Sequence, residues 1–450
     1  MTQGRKAPVT GGRAARWTNW AGNQSCTPVR VERPTTAAEV ATAVTRAAER
    51  GETVKAVGSG HSFTAIAATD GVMLDLTAMC GLAGIVWDEA GGGARFRVRA
   101  GTRLADLNQM LAAQGLALAN LGDIDRQTIS GALATGTHGT GAAFGSLSSF
   151  VTGAQVVLAD GSVVECSAQQ RPDLFEAIRV GLGALGVVTQ IEIACVPAFL
   201  IRADERPARL DEVLARLEEW RTGTDHFEFF WFPGTNRALT KHNTRLAPGQ
   251  DGPRLAPWRR RLDDDFLSNT VLEGLCRLTT RLPRATSAAN EIAGRALSAR
   301  TYVAPSHEVF VSPREVRFRE TEWAVPVAAA PGLIADLRAW LGRRDPLVGF
   351  PIEVRFGAAD DVWLSTSHGR ETAYLAFHEY HRAAPSAFFA DVEAMMRAHD
   401  GRPHWGKLHT QSSQDVLALY PRAADVRRVR DEVDPGRVFT NDYVRQVLGA

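Results

Sequence analysis

Val57-Gly58-Ser59-Gly60-His61-Ser62-Phe63 decides the reading of this chain, because a β-rich run ends in a loop of glycines and hydroxyls that carries a histidine. Gly58 and Gly60 open backbone angles closed to other residues, so successive N–H groups can converge on an anion while His61 brings a ring nitrogen to the same place. Upstream, Thr36 and Glu39 stand in capping-box spacing, and Val40, Ala43, Val44 and Ala47 mark one apolar helical face as far as Gly51. A strand over 53–57 follows, which places the histidine loop just past a strand's carboxyl end, a usual position for cofactor contacts in α/β sheets. A second loop, Gly131-Ala132-Leu133-Ala134-Thr135-Gly136-Thr137-His138-Gly139-Thr140-Gly141, has the same character. Two such loops can hold a pyrophosphate together with an attached ring.

Further strands are expected over 73–76 and 95–100. Thr102 and Asp106 repeat the capping pattern before a helix whose face is Leu104, Leu107, Met110 and Leu111. Val156–Leu158 and Val163–Glu165 read as a hairpin across Asp160-Gly161, followed by a helix over 173–179 and the glycine-spaced run 181–191. After Pro197 the texture changes to an amphipathic helix over 210–220 and the aromatic strand 227–232, which suggests a second α+β domain. Residues 247–304 are arginine-rich, with helical stretches near 267–279, and their role is left without a reading. The last fifty residues return to glycine, histidine and tyrosine punctuation, as if the chain rejoins the first domain.

With 450 residues, more than one domain is expected. A formal charge of +1 without a basic stripe leaves general attraction to nucleic acid nothing to act through. Cys26, Cys80, Cys166, Cys195 and Cys276 are odd in number and widely spaced, which indicates neither a disulfide framework nor a zinc site; no metal is expected, and a reducing, cytoplasmic setting fits best. The polar start through Arg16 reads as neither secretory nor exported, and no apolar run reaches membrane-spanning length. Peripheral membrane association stays open.

Four marks in order, Gly58-Ser59-Gly60-His61-Ser62, Ala134–Gly141, Glu353-Val354-Arg355 and His404-Trp405-Gly406-Lys407, make the chain resemble the aldonolactone oxidases of the vanillyl-alcohol-oxidase superfamily, with its PCMH-type FAD-binding fold. The similarity runs from Trp17 to Tyr443. It implies an α+β protein: an FAD-binding domain of two α+β subdomains over 17–197, an α+β cap domain carrying the substrate site over 198–400, and a segment over 401–450 returning to the first domain. It also implies covalent FAD through His61. Residues like Ala56, Val57, Gly58, Ser59, Gly60, Ser62, Asp123, Thr128, Gly131, Thr135, Gly136, Thr137, His138 and His404 would lie along the FAD, with Val187 or Val188 near its adenosine part.

Glu353 and Arg355 alternate in a strand over 352–356, so both project from one face while Ile352, Val354 and Phe356 take the other. The resemblance makes them, with Lys407, the catalytic residues. Arg355 would support the reacting hydroxyl, Glu353 would hold Arg355 and substrate hydroxyls, and Lys407 would either stabilise an alkoxide or accept its proton. Asp123 is a further substrate contact; His378 is another, on an alignment loose enough that a core or surface histidine fits as well. Gly122 stands where a small residue admits oxygen, which points to an oxidase releasing hydrogen peroxide. The reaction implied is hydride transfer from an aldono-1,4-lactone carbon to flavin N5. The alternatives are an alditol oxidase, a lactone dehydrogenase with a non-oxygen acceptor, or a non-catalytic flavin protein anchored at a membrane through Trp258–Arg261.

Overall fold

The computed structural model describes residues 16–88, 92–256, 270–312, 314, 316–344, 349–384 and 386–450. Near the N-terminus three parallel strands lie side by side in the order Arg30–Glu32, Val72–Asp75, Val54–Val57. The helix Ala37–Glu49 covers them, burying Val40, Ala43, Val44 and Ala47 against Val54, Val72 and Leu74. Thr36 caps that helix through Glu39 N, while the Glu39 carboxylate takes the Thr35 N–H instead of closing the box on Thr36. A second, antiparallel sheet runs Val163–Ser167, Val151–Val157, Val187–Pro197, Ala94–Arg99, Leu82–Trp87, with Leu116–Ala117 on the end of its long third strand.

An eight-stranded antiparallel sheet occupies the later chain: Arg300–Pro305, Leu200–Arg209, Arg237–Arg245, His226–Trp231, Ile352–Gly357, Thr372–Tyr380, Phe318–Pro326, Arg402–Pro403. Phe227, Phe229, Val354, Phe356, Leu375 and Phe377 point to one face, where the helices Leu210–Ala215, Leu217–Gly223, Ala330–Leu341 and Phe388–Arg397 bury them. Period-two alternation then sends their neighbours, many of them charged, to the opposite face. The three C-terminal helices Ser413–Leu419, Ala423–Val433 and Asp442–Leu448 pack into the core of the antiparallel sheet of the early chain. There Asn441 Nδ2 donates to the carbonyls of Ala65, Ile66 and Ala68, and Val54 N donates to Val438 O.

Several local expectations change. Thr102 is not a cap: its hydroxyl donates to Arg99 O and accepts from Gly81 N, and Arg103 occupies the N-cap position without a side-chain bond. The 210–220 helix is two helices, interrupted at Arg216. The hairpin turn is longer than Asp-Gly, since Gly161 N bonds Leu158 O and Leu158 N bonds Ser162 O, with Gly161 at φ +82°. The arginine-rich stretch contributes the helices Leu272–Arg281 and Thr286–Ala296 and an edge strand of the large sheet. Trp258–Arg261 lies outside the described residues.

Candidate active site

The histidine loop is clamped from two directions. Trp20 N donates to Gly60 O, and Asn19 Nδ2 donates to Ser62 O at 2.9 Å. From the C-terminal side Phe63 N donates to Gly406 O at 2.7 Å and Thr64 Oγ1 to Trp405 O at 3.1 Å. Gly60 takes φ +66° in this turn. The loop opens on a cavity with about 1180 Å³ of empty space, part of it open to solvent, lined by Ala56, Val57, Gly58, Ser59, Gly60, His61 and Ser62 and, facing them, by Thr128, Gly131 and Thr135. Gly181, Gly183 and Gly186 line it too.

The cavity's walls suit a phosphate-bearing dinucleotide. Among the described residues Ser59 Oγ and Thr128 Oγ1 are buried there without a hydrogen-bond partner, a costly arrangement unless a ligand supplies one. A Cβ on Gly58 would stand 2.0 Å from Thr128 Oγ1, so only glycine lets the two loops meet. Lys55 reaches the same wall, donating from Nζ to Gly183 O at 2.9 Å. His61 stacks on Trp20 at 5.5 Å, and burial, with the nearby Lys407, Arg103 and Arg126, pushes its pKa down to about 4. Its ring is therefore neutral at pH 7 and keeps a nitrogen lone pair.

The other nominated cofactor contacts divide. Gly136, Thr137, His138, His404 and Asp123 do not line this cavity. Gly136 faces Trp405, Thr137 Oγ1 donates to Gln127 Oε1, and the last three join the charged face of the large sheet. Of Val187 and Val188, the second stands at the cavity. Strand alternation turns Val187 into the core beside Val54, Leu74 and Val157.

On that sheet face, residues in register across five strands alternate in charge: Arg300, Glu205, Lys241, Glu228, Arg355. Arg300 pairs Glu205 at 2.8 Å, Lys241 pairs Glu228 at 3.0 Å, and Arg355 Nε donates to Glu228 at 3.0 Å. Arg355 also pairs Glu353 and, at 3.3 Å, Asp123. Glu353 and Arg355 do share a face, both buried. Burial opposes ionisation of Arg355, but Glu353, Asp123 and Glu228 outweigh it and hold its pKa well above the ordinary value. Asp123 is held well below its own, burial being outweighed by Arg314 and Arg355. Glu353 goes the other way: burial, with Asp123 and Glu228, overcomes both arginines and raises it to about 7.

Lys407, from the C-terminal loop, donates to Glu320 Oε2 at 2.5 Å and lies 3.9 Å from Glu322. These carboxylates raise its pKa against the effect of burial. His378 belongs to the same cluster: it is buried, its Nε2 lies 3.6 Å from Glu320, its Nδ1 has no partner among the described residues, and burial holds it neutral, well below its ordinary pKa. Arg355 and Lys407 both act on the charge of Asp123, so the structure brings the sequence-nominated groups together. Glu320, Glu322, Glu228, Lys241 and Arg314 were not nominated. Glu320 and Glu322 carry the same alternating signal as Glu353 and Arg355; the pairings of the others depend on strand order, which no local pattern encodes.

His138, Glu322 and His404 offer three ligand atoms within 4.8 Å of one another. A metal fits them poorly. His404 Nδ1 accepts from Gly406 N, so its proton sits on Nε2, and Glu322 is already bonded to His138 Nε2 at 3.0 Å. His138 Nδ1 faces Gly139 O at 2.9 Å, so that nitrogen carries a proton and offers no lone pair.

Residues 191–447 match the family described as D-arabinono-1,4-lactone oxidase, and residues 28–167 match an FAD binding domain. The chain is 41% identical over 434 residues to an L-gulono-1,4-lactone dehydrogenase of Mycobacterium tuberculosis, covering 96% of this chain and 99% of that protein. It is 31% identical over 441 residues to an L-gulonolactone oxidase of Scyliorhinus torazame, covering 96% and 97%. In fold it resembles the crystal structure of a cholesterol oxidase from B. sterolicum, with a TM-score of 0.78 at 18% identity over the whole of both chains. The chain belongs to the D-arabinono-1,4-lactone oxidase family and is an FAD-binding oxidoreductase.

Proposed function

We propose that the protein oxidises the hydroxyl carbon next to the carbonyl of an aldono-1,4-lactone. The observation that carries this reading is the convergence of Arg355, Lys407, Glu353 and Asp123 on one buried sheet face. FAD, held by the His61 loop, Thr128, Gly131 and Thr135, supplies the hydride acceptor. Arg355 and Lys407 both stay charged, so each donates to the reacting oxygen and stabilises it as its proton leaves; this favours the alkoxide-stabilising role for Lys407 over that of base. Glu353, poised near neutrality and ion-paired with Arg355, takes that proton. Neutral His378 offers Nδ1 to a second hydroxyl.

The neutral ring of His61 supports covalent attachment of the flavin there. We assign residues 17–197 to the FAD-binding domain, 198–400 to the cap and 401–450 to the returning segment; the separate sheets support the first boundary, and the returning segment begins with a strand, Arg402–Pro403, of the cap sheet. Oxygen is the proposed acceptor, with Gly122 as its gate: a Cβ there would meet His138 O at 3.1 Å. The name of the mycobacterial relative favours a second reading, a dehydrogenase using another acceptor. Among the described residues no helix is long and apolar enough to cross a membrane. Free thiols at all five cysteines, Cys80 exposed, support a cytoplasmic setting.

Anaerobic mixing of the yellow protein with aldonolactones and alditols, followed by air, tests the reading. Aldonolactones bleach the visible flavin band and air restores it; bleaching by alditols alone, or by neither class, rejects it.

A further inference from the structure

Arg314 sits over the outer side of the site. Its Nη2 lies 2.6 Å from Asp123 Oδ2 and 3.3 Å from Glu353 Oε2, and so ties together the two carboxylates nominated for substrate hydroxyls. The loop that carries it is tied to the same place, since Ser312 N donates to Asp123 O at 3.0 Å. Arg314 is the outermost of these charged groups: its side chain is 25% exposed, against 5% for Glu353 and 9% for Arg355.

Among the described residues, both of its ion pairs run through Nη2. The N–H groups on Nη1 and Nε remain available beside two carboxylates. A guanidinium is donor-only, five N–H groups and no acceptor. A lactone differs from an open-chain or cyclic polyol in carrying a carbonyl and a ring ester oxygen, both acceptor-only. Hydroxyls can satisfy Asp123 and Glu353 in either ligand class; only the lactone also presents an acceptor-only pair to the spare donors of Arg314.

We infer that Arg314 is a specificity-determining residue that binds the carbonyl of a five-membered lactone while Asp123 and Glu353 take its hydroxyls, so that the site selects lactones over polyols. This deepens the proposed function and rests on it for the identity of the substrate. Arg355 and Lys407 are left to the reacting hydroxyl. Arg314 does two separable things, since it neutralises Asp123 and Glu353 and it recognises the carbonyl.

The test is calorimetric binding to the holoenzyme of two probes that cannot react: a 2-deoxy-aldono-1,4-lactone and its matched 1,4-anhydro polyol, which lacks only the carbonyl. The native protein binds the lactone more tightly, on the order of 10- to 100-fold, the range for a hydrogen bond to a charged donor. Arg314→Gln brings the two within about 3-fold, through loss of lactone affinity with the ether little changed. Arg314→Lys keeps the charge opposite Asp123 and Glu353, so it restores thermal stability while the lactone preference stays reduced.

Equal weakening of both probes in Arg314→Gln, full preference retained in either variant, or no preference in the native protein overturns the inference. Turnover of aldonolactones by the native protein is measured separately. A native protein that prefers the lactone probe yet oxidises no lactone rejects the proposed function and leaves the role of Arg314 standing.

Discussion

Replacing Glu228 by glutamine breaks the charge ladder at its centre and puts a number on what the ladder contributes. Glu228 is buried between Lys241, at 3.0 Å, and Arg355, whose Nε it accepts from at 3.0 Å. Glutamine keeps the volume but leaves two buried cations without the carboxylate that separates them. Breaking a buried ion pair on one side costs about 3–5 kcal/mol. Unfolding entropy of about 2.1 cal/mol/K per residue gives roughly 0.95 kcal/mol/K for 450 residues unfolding as one unit, so Tm falls by about 3–5 °C. Removing Lys241 as well, as Glu228→Gln with Lys241→Met, takes away one stranded cation, and more than half of the loss returns.

The pH dependence has a definite sign. Lys241 and Arg355 hold the Glu228 pKa below its ordinary 4.5 despite burial, so its contribution is present above that value and is lost as pH falls through the depressed one. The gap in Tm between native protein and Glu228→Gln is therefore full at pH 7 and closes as the pH drops below about 4.5. Calorimetry on the holoenzyme at pH 7 and pH 4 measures it. A variant within 1 °C of native at pH 7, or a gap that widens in acid, refutes the claim that the buried charges of this face stabilise one another.

Three further outcomes follow from the site. His61→Ala releases its flavin on acid precipitation while native protein stays yellow in the pellet; a colourless native pellet rejects covalent attachment. Gly58→Val puts a side chain onto Thr128 and abolishes flavin retention, so purified variant lacks the visible absorbance; retention at native stoichiometry shows that the two loops separate without cost. Glu353→Gln removes a group titrating near 7, so the rise in the flavin reduction rate between pH 6 and pH 8, expected of a base that must be ionised, disappears and the maximal rate falls by about 10²- to 10⁴-fold. An unchanged pH profile assigns the proton to another group.

How much of this was legible depends on how far apart in sequence the cooperating residues lie. The histidine loop, its preceding strand and the capped helix before it are local events, and their sequence signals appear within a residue or two of the observed bounds. The shared face of Glu353 and Arg355 needed only alternation within one strand, while their nomination as site residues rested on the family resemblance. Thr102 misled because a hydroxyl three residues from Arg99 can satisfy a carbonyl as readily as cap a helix. Val187 and Val188 are adjacent, and only the register against Val151–Val157 decides which faces the ligand. Glu228 and Lys241 meet Arg355 because their strands are neighbours in an eight-stranded order that the chain does not state locally. Arg314 comes from a loop with no periodicity at all.

The same separation explains why the C-terminal loop matters. Lys407 can act on a substrate beside the flavin only if its loop is fixed relative to His61, and the chain makes that connection by backbone bonds that side-chain substitution leaves largely intact: Phe63 N to Gly406 O, with Thr64 Oγ1 to Trp405 O alongside. The Tyr443 hydroxyl donates to the same Trp405 carbonyl at 2.9 Å, and Asn441, two residues earlier, holds three carbonyls of the 65–68 turn. Cofactor loop, lysine loop and final helix thus form one hydrogen-bonded unit, and any movement that opens the lysine loop must also loosen the histidine loop. Loss of the three Asn441 bonds in Asn441→Ala should accordingly weaken flavin retention and slow reduction together, although residue 441 reaches neither the cavity nor the charged face; a variant that loses one property and keeps the other would show that the two loops are held independently.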